Sequence, residues 1–337
     1  MKSRKFYLGV VILFIVSLVL AACGGGNGGN TEEEGADGGN GATETGGSTQ
    51  LMNFLTGGTS GTYYPLGGEI AKIITDETGI QVDAQSSNAS ADNVIALANG
   101  EAELAFVQTD VVAHAVEGVH SFEGKAVSGV MALGSLYPET VQIVVLADSD
   151  IQSVEDLKGK KVSVGAPGSG TYVNALQILE AHGLTMDDID AQNLDFGEST
   201  DGIQDGLIDA AFITAGTPTG AVEGLAATHK VRILPIEQDK IDALIEKYPF
   251  YAEDVVPAGT YGLEEDVKTV AVMAMIAVNE NLSEDDVYNI TKAIFENVDQ
   301  LTHDKAKFIS IDSALDGVGI PLHPGAEKYY KEVGVLD

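Results

Sequence analysis

Two copies of the tetrapeptide Ser-Gly-Thr-Tyr, at residues 60–63 and 169–172, constrain this chain more than any other feature. The longer stretches are Gly58-Thr59-Ser60-Gly61-Thr62-Tyr63-Tyr64 and Ala166-Pro167-Gly168-Ser169-Gly170-Thr171-Tyr172. Each follows a short apolar run, residues 51–55 and 161–164. Each precedes apolar residues at helical spacing: Leu66, Ile70, Ile73 and Ile74 in the first copy, Val173, Leu176, Ile178 and Leu179 in the second. The pattern predicts a strand, a Gly-rich turn bearing hydroxyls, and a helix start. A helix start presents unpaired N–H groups and the positive end of the helix dipole. Two such starts facing one cleft would form an anion receptor built from backbone and hydroxyls.

The duplication extends beyond the loops. Residues 100–110 line up with residues 206–216, each block a helix end, a Gly stop and an apolar strand ending in small or polar residues. Strand–Gly–helix units recur in every α/β protein. A shared tetrapeptide and a second aligned block in the same order argue for more than chance. Together they predict an α/β chain of two similar lobes.

A chain of 337 residues is long enough for two domains of ordinary size. The formal charge is −33. Such a surface repels nucleic acid and anionic lipid, so no nucleic-acid partner is expected. It also repels anions at long range, so an anion site here needs dense local donors. Residues 1–22 read as a leader: Lys2, Arg4 and Lys5 precede an apolar run over residues 6–20. Leu20-Ala21-Ala22-Cys23 then matches a bacterial lipobox, and Cys23, the single cysteine, reads as the lipid-attachment residue. An uncleaved membrane anchor is the competing reading, but the apolar run is short for a span. Residues 24–50 are Gly-, Asn-, Thr- and Glu-rich with no basic residue, the composition of a flexible tether. Residues 23–50 thus predict a lipidated, tethered protein outside the cell membrane.

In the remainder, residues 51–140 read as the first part of lobe 1, residues 141–256 as lobe 2, and residues 257–337 as a return to lobe 1. Residues 129–137 and 141–146 are expected as two strands separated by Pro138, the second crossing to lobe 2. Residues 267–278 read as a long strand crossing back. Residues 239–250 and 285–301 read as helices, the latter capped by Ser283 with Asp286 three residues on. Two crossings make a hinge, and a hinge permits closure on a ligand.

At these residues the sequence resembles the TAXI-type solute receptors of TRAP transporters. The matching segments are the first Gly-rich loop with Tyr63-Tyr64-Pro65, Gly100-Glu101-Ala102-Glu103-Leu104-Ala105 with Gln108 and Asp110, and Asp156-Leu157-Lys158-Gly159-Lys160. They continue with residues 165–171, Pro257-Ala258-Gly259-Thr260-Tyr261 and His323-Pro324-Gly325-Ala326, in the family's order across residues 51–337. Each is weak alone; the set is specific. The resemblance implies a periplasmic-binding-protein fold of the second type, with ligand between two lobes. It also implies a membrane permease driven by an ion gradient, and a small organic acid or amino acid as solute. A monomer without cofactor or catalytic role is the expectation.

The candidate ligand-binding residues begin with Gly58, Thr59, Ser60, Thr62 and Tyr63 in the first loop and Pro167, Gly168, Ser169, Gly170 and Thr171 in the second. Helix capping by Ser and Thr explains one residue per loop but not the Gly density. Arginine occurs only at Arg4 and Arg232, so a bidentate Arg clamp is not expected. Ser87 and Asn88 sit in a polar turn after a strand; Asn88 is equally suited to a ligand or to a local turn. Gln108 and Asp110 end the strand of the first repeat, where α/β sheets bind ligands, although Asp110 also suits capping of the helix beginning at Val111. Thr214 and Gly216 hold the matching place in the second repeat. Tyr137 either closes over the ligand or packs in the core. The six histidines show no metal spacing, and those near helix ends, His182 among them, are expected at the surface.

The sequence thus supports an extracytoplasmic solute-binding lipoprotein that captures a small carboxylate, such as glutamate or a dicarboxylate, for a TRAP-type permease. A receptor for an ABC importer is the alternative within the same fold. A Gly-loop enzyme acting on an anionic substrate, with Ser169 as nucleophile, is the alternative from another class.

Overall fold

The computed structural model describes residues 51–337, which place the expected leader, Cys23 and tether outside the described residues. The first repeat folds as β1 (Met52–Leu55), α1 (Tyr63–Thr78), β2 (Val82–Gln85), α2 (Ser90–Asn99), β3 (Leu104–Gln108) and α3 (Thr109–Glu117). One long strand, β4 (Val130–Leu146), leads to the second repeat: β5 (Lys161–Ser163), α4 (Gly170–Ala181), β6 (Asp190–Gln192), α5 (Phe196–Gln204), β7 (Ala210–Ala215) and α6 (Gly220–Ala226). Then come β8 (Val231–Ile233), α7 (Gln238–Lys247), β9 (Ala252–Val256), the second long strand β10 (Val267–Asn279), α8 (Glu284–Glu296) and α9 (Pro324–Glu332). Among the described residues no helix is long and apolar enough to cross a membrane.

The ten strands form one sheet in the order β2-β1-β3-β10-β4-β7-β5-β6, with β8 on β4 and β9 on β10. Its two ends are parallel trios, β2-β1-β3 and β6-β5-β7, with the same internal order. The antiparallel strands β10 and β4 join them. The duplicated sequence is therefore a duplicated layout, and the architecture is the two-lobed α/β fold expected. Each lobe has helices on both faces. In lobe 1, Phe54, Leu66, Ile70 and Ile74 pack with Ile290, Ile294 and Tyr330 of α8 and α9, while Val94, Val107 and Val111 fill the other face. In lobe 2, Val162, Ile178 and Phe212 form one core and Ile203, Ile213 and Val222 the other.

Several expectations need correction. Residues 130–146 are one strand, not two. Pro138 lies opposite Met273 of β10, before β7 joins the far side of β4 at Thr140. A proline is tolerated in such a locally open edge because its missing donor has no partner strand to serve. The helix expected over 285–301 stops at Glu296, where Asn297 turns out of helical geometry, although Ser283 caps it as expected by accepting from the Asp286 amide. Likewise α7 ends at Lys247. The strand β9 was not anticipated. His182 is buried, its Nδ1 against the Ile178 carbonyl at 2.7 Å. Arg232 is a staple: its guanidinium donates to the carbonyls of Ala147, Ser149 and Ile151, tying down the loop after β4.

Candidate functional site

The two Gly-rich loops meet across a cavity of about 380 Å³ between the lobes. Lobe 1 contributes Gly57, Gly58, Thr59, Gly61, Thr62 and Tyr63 from the first loop, the turn at Ser86–Ser90, Gln108 at the end of β3, and Glu139. Lobe 2 contributes Ala166, Ser169, Gly170, Thr171, Asp195, Phe196, Thr214 and Ala215. The helices α1 and α4 both start at this wall. No side chain caps α1, whereas Ser169 caps α4 by accepting from the Tyr172 amide at 3.2 Å. That leaves the amides of Tyr63 and Tyr64 in α1, where Pro65 brings no N–H, and of Gly170 and Thr171 in α4, without an intrahelical acceptor, the arrangement that suits an anion. A cavity of this size holds a small solute.

Buried polar contacts hold the wall in place. The Asn93 amide donates to the carbonyls of Thr56 and Phe106 at 2.8 and 2.7 Å, locking the ends of β1 and β3 together. The Ser90 hydroxyl accepts from the Gln108 amide N–H at 3.1 Å. Tyr63 stacks on Phe106, ring centroids 4.6 Å apart, and its hydroxyl donates to Glu139 at 3.0 Å. On the opposite wall Thr171 Oγ1 accepts from the Thr214 amide at 3.4 Å. The loops also bind each other's lobes. The Ala91 amide at the start of α2 donates to the Gly168 carbonyl at 2.9 Å, and the Ala221 amide at the start of α6 donates to the Ser60 carbonyl at 3.0 Å.

The electrostatics of the lining are uneven. Its charged side chains are both acidic, Glu139 and Asp195; no Lys, Arg or His is among them. Burial lifts Glu139 from the usual carboxylate range to about 8. Lys305, buried behind the lobe junction, is held below the usual lysine range by the same desolvation. Gln108 Oε1 and Thr214 Oγ1 are buried without a protein partner. Such atoms are costly unless something else completes them.

The sequence profile of the NMT1-like family matches residues 54–334. The chain belongs to the NMT1-like family. Solved structures share its fold at low identity. An alkanesulfonate-binding protein, SsuA, of Xanthomonas axonopodis pv. citri, bound to MOPS, is 17% identical over 83% of each chain, with a TM-score of 0.50. A protein of Bordetella bronchiseptica RB50 is 17% identical over 85% of this chain and 89% of its own, with a TM-score of 0.52. A periplasmic transporter protein is 14% identical over 85% and 93%, with a TM-score of 0.51.

In this NMT1-like protein the structure brings Gly58, Thr59, Thr62, Tyr63, Ser87, Asn88, Gln108, Ser169, Gly170, Thr171 and Thr214 to one cavity. Six expected residues lie off its wall. Ser60 turns its carbonyl to α6 and its side chain toward Gly197. Asp110 is buried in the first turn of α3, accepting from Asn174 at 3.1 Å. Tyr137 is a fully buried core residue, the packing role rather than the lid. Pro167 is exposed, and Gly168 serves α2 through its carbonyl. The Gly216 carbonyl accepts from the hydroxyls of Thr62 and Thr219 at 3.3 and 2.8 Å. The reading of the sequence missed Glu139, Asp195 and Phe196. Glu139 was signalled by being the one charged residue in the apolar stretch Val130–Leu146. Asp195 was signalled by the capping pattern it makes with Glu198. Nothing local signalled Phe196, which reaches the site by packing against Gly61.

Proposed function

We propose that this chain is an extracytoplasmic solute receptor that closes on a small carboxylate and presents it to a membrane permease. One observation carries the reading: two duplicated helix starts converge, across two lobes, on a cavity lined by backbone amides and hydroxyls. Residues 51–140 with 257–337, and residues 141–256, act as the two jaws. Lipid on Cys23 and the tether would hold the receptor at the outer face of the membrane. The alkanesulfonate-binding protein of similar fold takes, by its name, a ligand with an anionic end, which agrees with an anion-receiving end here.

The permease class has two supports of different kind. Proteins of similar fold include an alkanesulfonate-binding protein and a periplasmic transporter, and we take an ABC-type partner as the leading reading. The order of the TAXI-like motifs favours a TRAP-type partner. Uptake in cells carrying the receptor and its permease separates them. An ABC partner stops when ATP is depleted, whereas a TRAP partner stops when the ion gradient is collapsed. Thermal-shift screening of the purified full chain with carboxylates and sulfonates tests the receptor reading itself. Stabilisation by a small acid, with no turnover of it, is expected. Turnover would favour the Ser169 enzyme instead.

A further inference from the structure

A receptor that only gripped an anion would have no use for Glu139. This side chain lies in the cavity lining, on β4 directly after Pro138, and is 2% exposed. Tyr63 donates its hydroxyl to it, and the Gln108 amide lies alongside and favours its charged form. Gln108 Oε1 and Thr214 Oγ1, both in the same lining, are buried and unpartnered. A dicarboxylate would bring its second negative charge into a cavity that holds two acids and no base. The helix starts offer donors, and the acceptors lie beside them: Glu139 accepts from Tyr63, the first residue of α1, and Gln108 Oε1 lies against Gly170, the first residue of α4. That juxtaposition matches a molecule with a carboxylate and a donor cation side by side.

We infer that Glu139 is a specificity-determining residue: it accepts from an ammonium group on the bound carboxylate and releases its own proton to solvent as that ammonium arrives. The inference deepens the receptor reading and rests on it. The charge balance closes, because a neutral carboxyl plus an ammonium becomes a carboxylate–ammonium pair plus one free proton. The groups around Glu139 are Tyr63 of α1, Tyr137 of its own strand, Asp110 of α3, and Lys305 in the turn at Asp304–Phe308. Desolvation and Asp110 favour its neutral form; Tyr63, Gln108 and Lys305 favour the charged form, and the balance leaves it at about 8. An ammonium within hydrogen-bond reach lowers a carboxyl by roughly 1–3 pKa units, enough to ionise it near neutrality. Below pH 8 the empty receptor then carries a proton that the complex lacks. Affinity for such a ligand rises with pH, by at most about tenfold per unit, and levels off above 8. A second carboxylate placed there would meet the neutral carboxyl, so its binding would release no proton below pH 8 and would take one up only near and above it.

The test is calorimetric titration of the purified full chain with the standard amino acids, their 2-oxo acids and the matching acids without the amine. Two buffers of different ionisation heat count the protons. The expected result is that an amino acid binds, its deaminated partners bind at least about tenfold more weakly, and protons are released below pH 8. Glu139→Gln should abolish the release and flatten the pH profile. If that variant does not fold, the wild-type proton count and amine preference decide alone. Equal affinity without the amine, no proton release below pH 8, or an unchanged profile in Glu139→Gln overturns the inference and leaves the receptor standing. No binding by any compound overturns the small-carboxylate receptor, and the inference with it.

Discussion

Gly170 and Glu139 are the two residues at which the cavity is most sensitive to a single atom. A Cβ on Gly170 would lie 2.0 Å from Gln108 Oε1 and 2.3 Å from its Cδ. Gly170→Ala should therefore drive Gln108 from its place, at an overpacking cost of about 1–3 kcal/mol. Melting temperature and titration with a bound acid check this; wild-type affinity would remove the loop from the site. Glu139 carries a stability cost besides its role toward ligand. Its folded-state value is raised, so its contribution to stability is present below the ordinary carboxylate range near 4.5 and is lost as pH climbs to about 8. Glu139→Gln removes that loss. The variant should gain stability over wild type as pH rises from 4.5 to 8, and calorimetric melting across that window should show the gap widening. A constant gap would mean that ionisation is not the cause. Gly170 was legible in the sequence because a Gly-rich turn before a helix has a known use. Glu139 was not, because an acid in an apolar run has no assigned neighbour until β4 and α1 are brought together through Tyr63.

The elements were legible where the apolar pattern was strong, as at α1 and β3, and where a cap agreed with it, as at Ser283 of α8. Replacing Ser283 by Ala should cost about 1 kcal/mol, read as a lowered melting temperature. They were illegible where the partner is distant. β4 reads as two strands because the break at Pro138 depends on which strand lies beside it, a fact about β7 and β10 rather than about Pro138. The start of α2 is a sharper case. Its N-cap position is Ala89, at φ 70°, with no side-chain cap. The Gly168 carbonyl supplies the missing acceptor from the other lobe, to the amides of Ala91 and Asp92 at 2.9 and 3.4 Å. No local rule finds a cap supplied from some eighty residues away by another lobe. The arrangement predicts that the amides of Ala91, Asp92 and Ala221 exchange with solvent only when the lobes part. Bound ligand should slow exchange at these positions more than at the lobe cores. Equal protection with and without ligand would show that these contacts persist in the open form.

At the scale of the molecule, the lobes are joined by β4 and β10, which pair antiparallel through Thr140 and Ala271 at the crossing. Side chains brace this junction: Thr140 donates to Asp254 and Thr269 to the Val141 carbonyl, each at 2.7 Å. A braced two-strand ribbon can bend but does not let the lobes slide, so the motion open to it is a hinge. The lobes touch through a small set of polar contacts, Ala91 to Gly168, Ala221 to Ser60, Thr62 to Gly216 and Asn174 to Asp110, and the lining between them holds acceptors without partners. Both features make closure weak without a ligand and favourable with one, because a ligand shifts the population only by its difference in affinity for the two forms. Solution scattering should therefore give a smaller radius of gyration at saturating ligand. An unchanged curve would rule out the clamp. Salt dependence then reports what the clamp holds. With a formal charge of −33, the receptor repels any net anion at long range, and added salt screens that repulsion. Capture of a dicarboxylate should strengthen as salt rises. Capture of a zwitterion, which has no net charge to repel, should stay nearly level. A flat salt profile together with compaction is thus the joint signature of a hinge closing on a net-neutral amino acid, and a rising profile points to a ligand of net negative charge, a dicarboxylate or an acidic amino acid, between which the proton count at Glu139 decides.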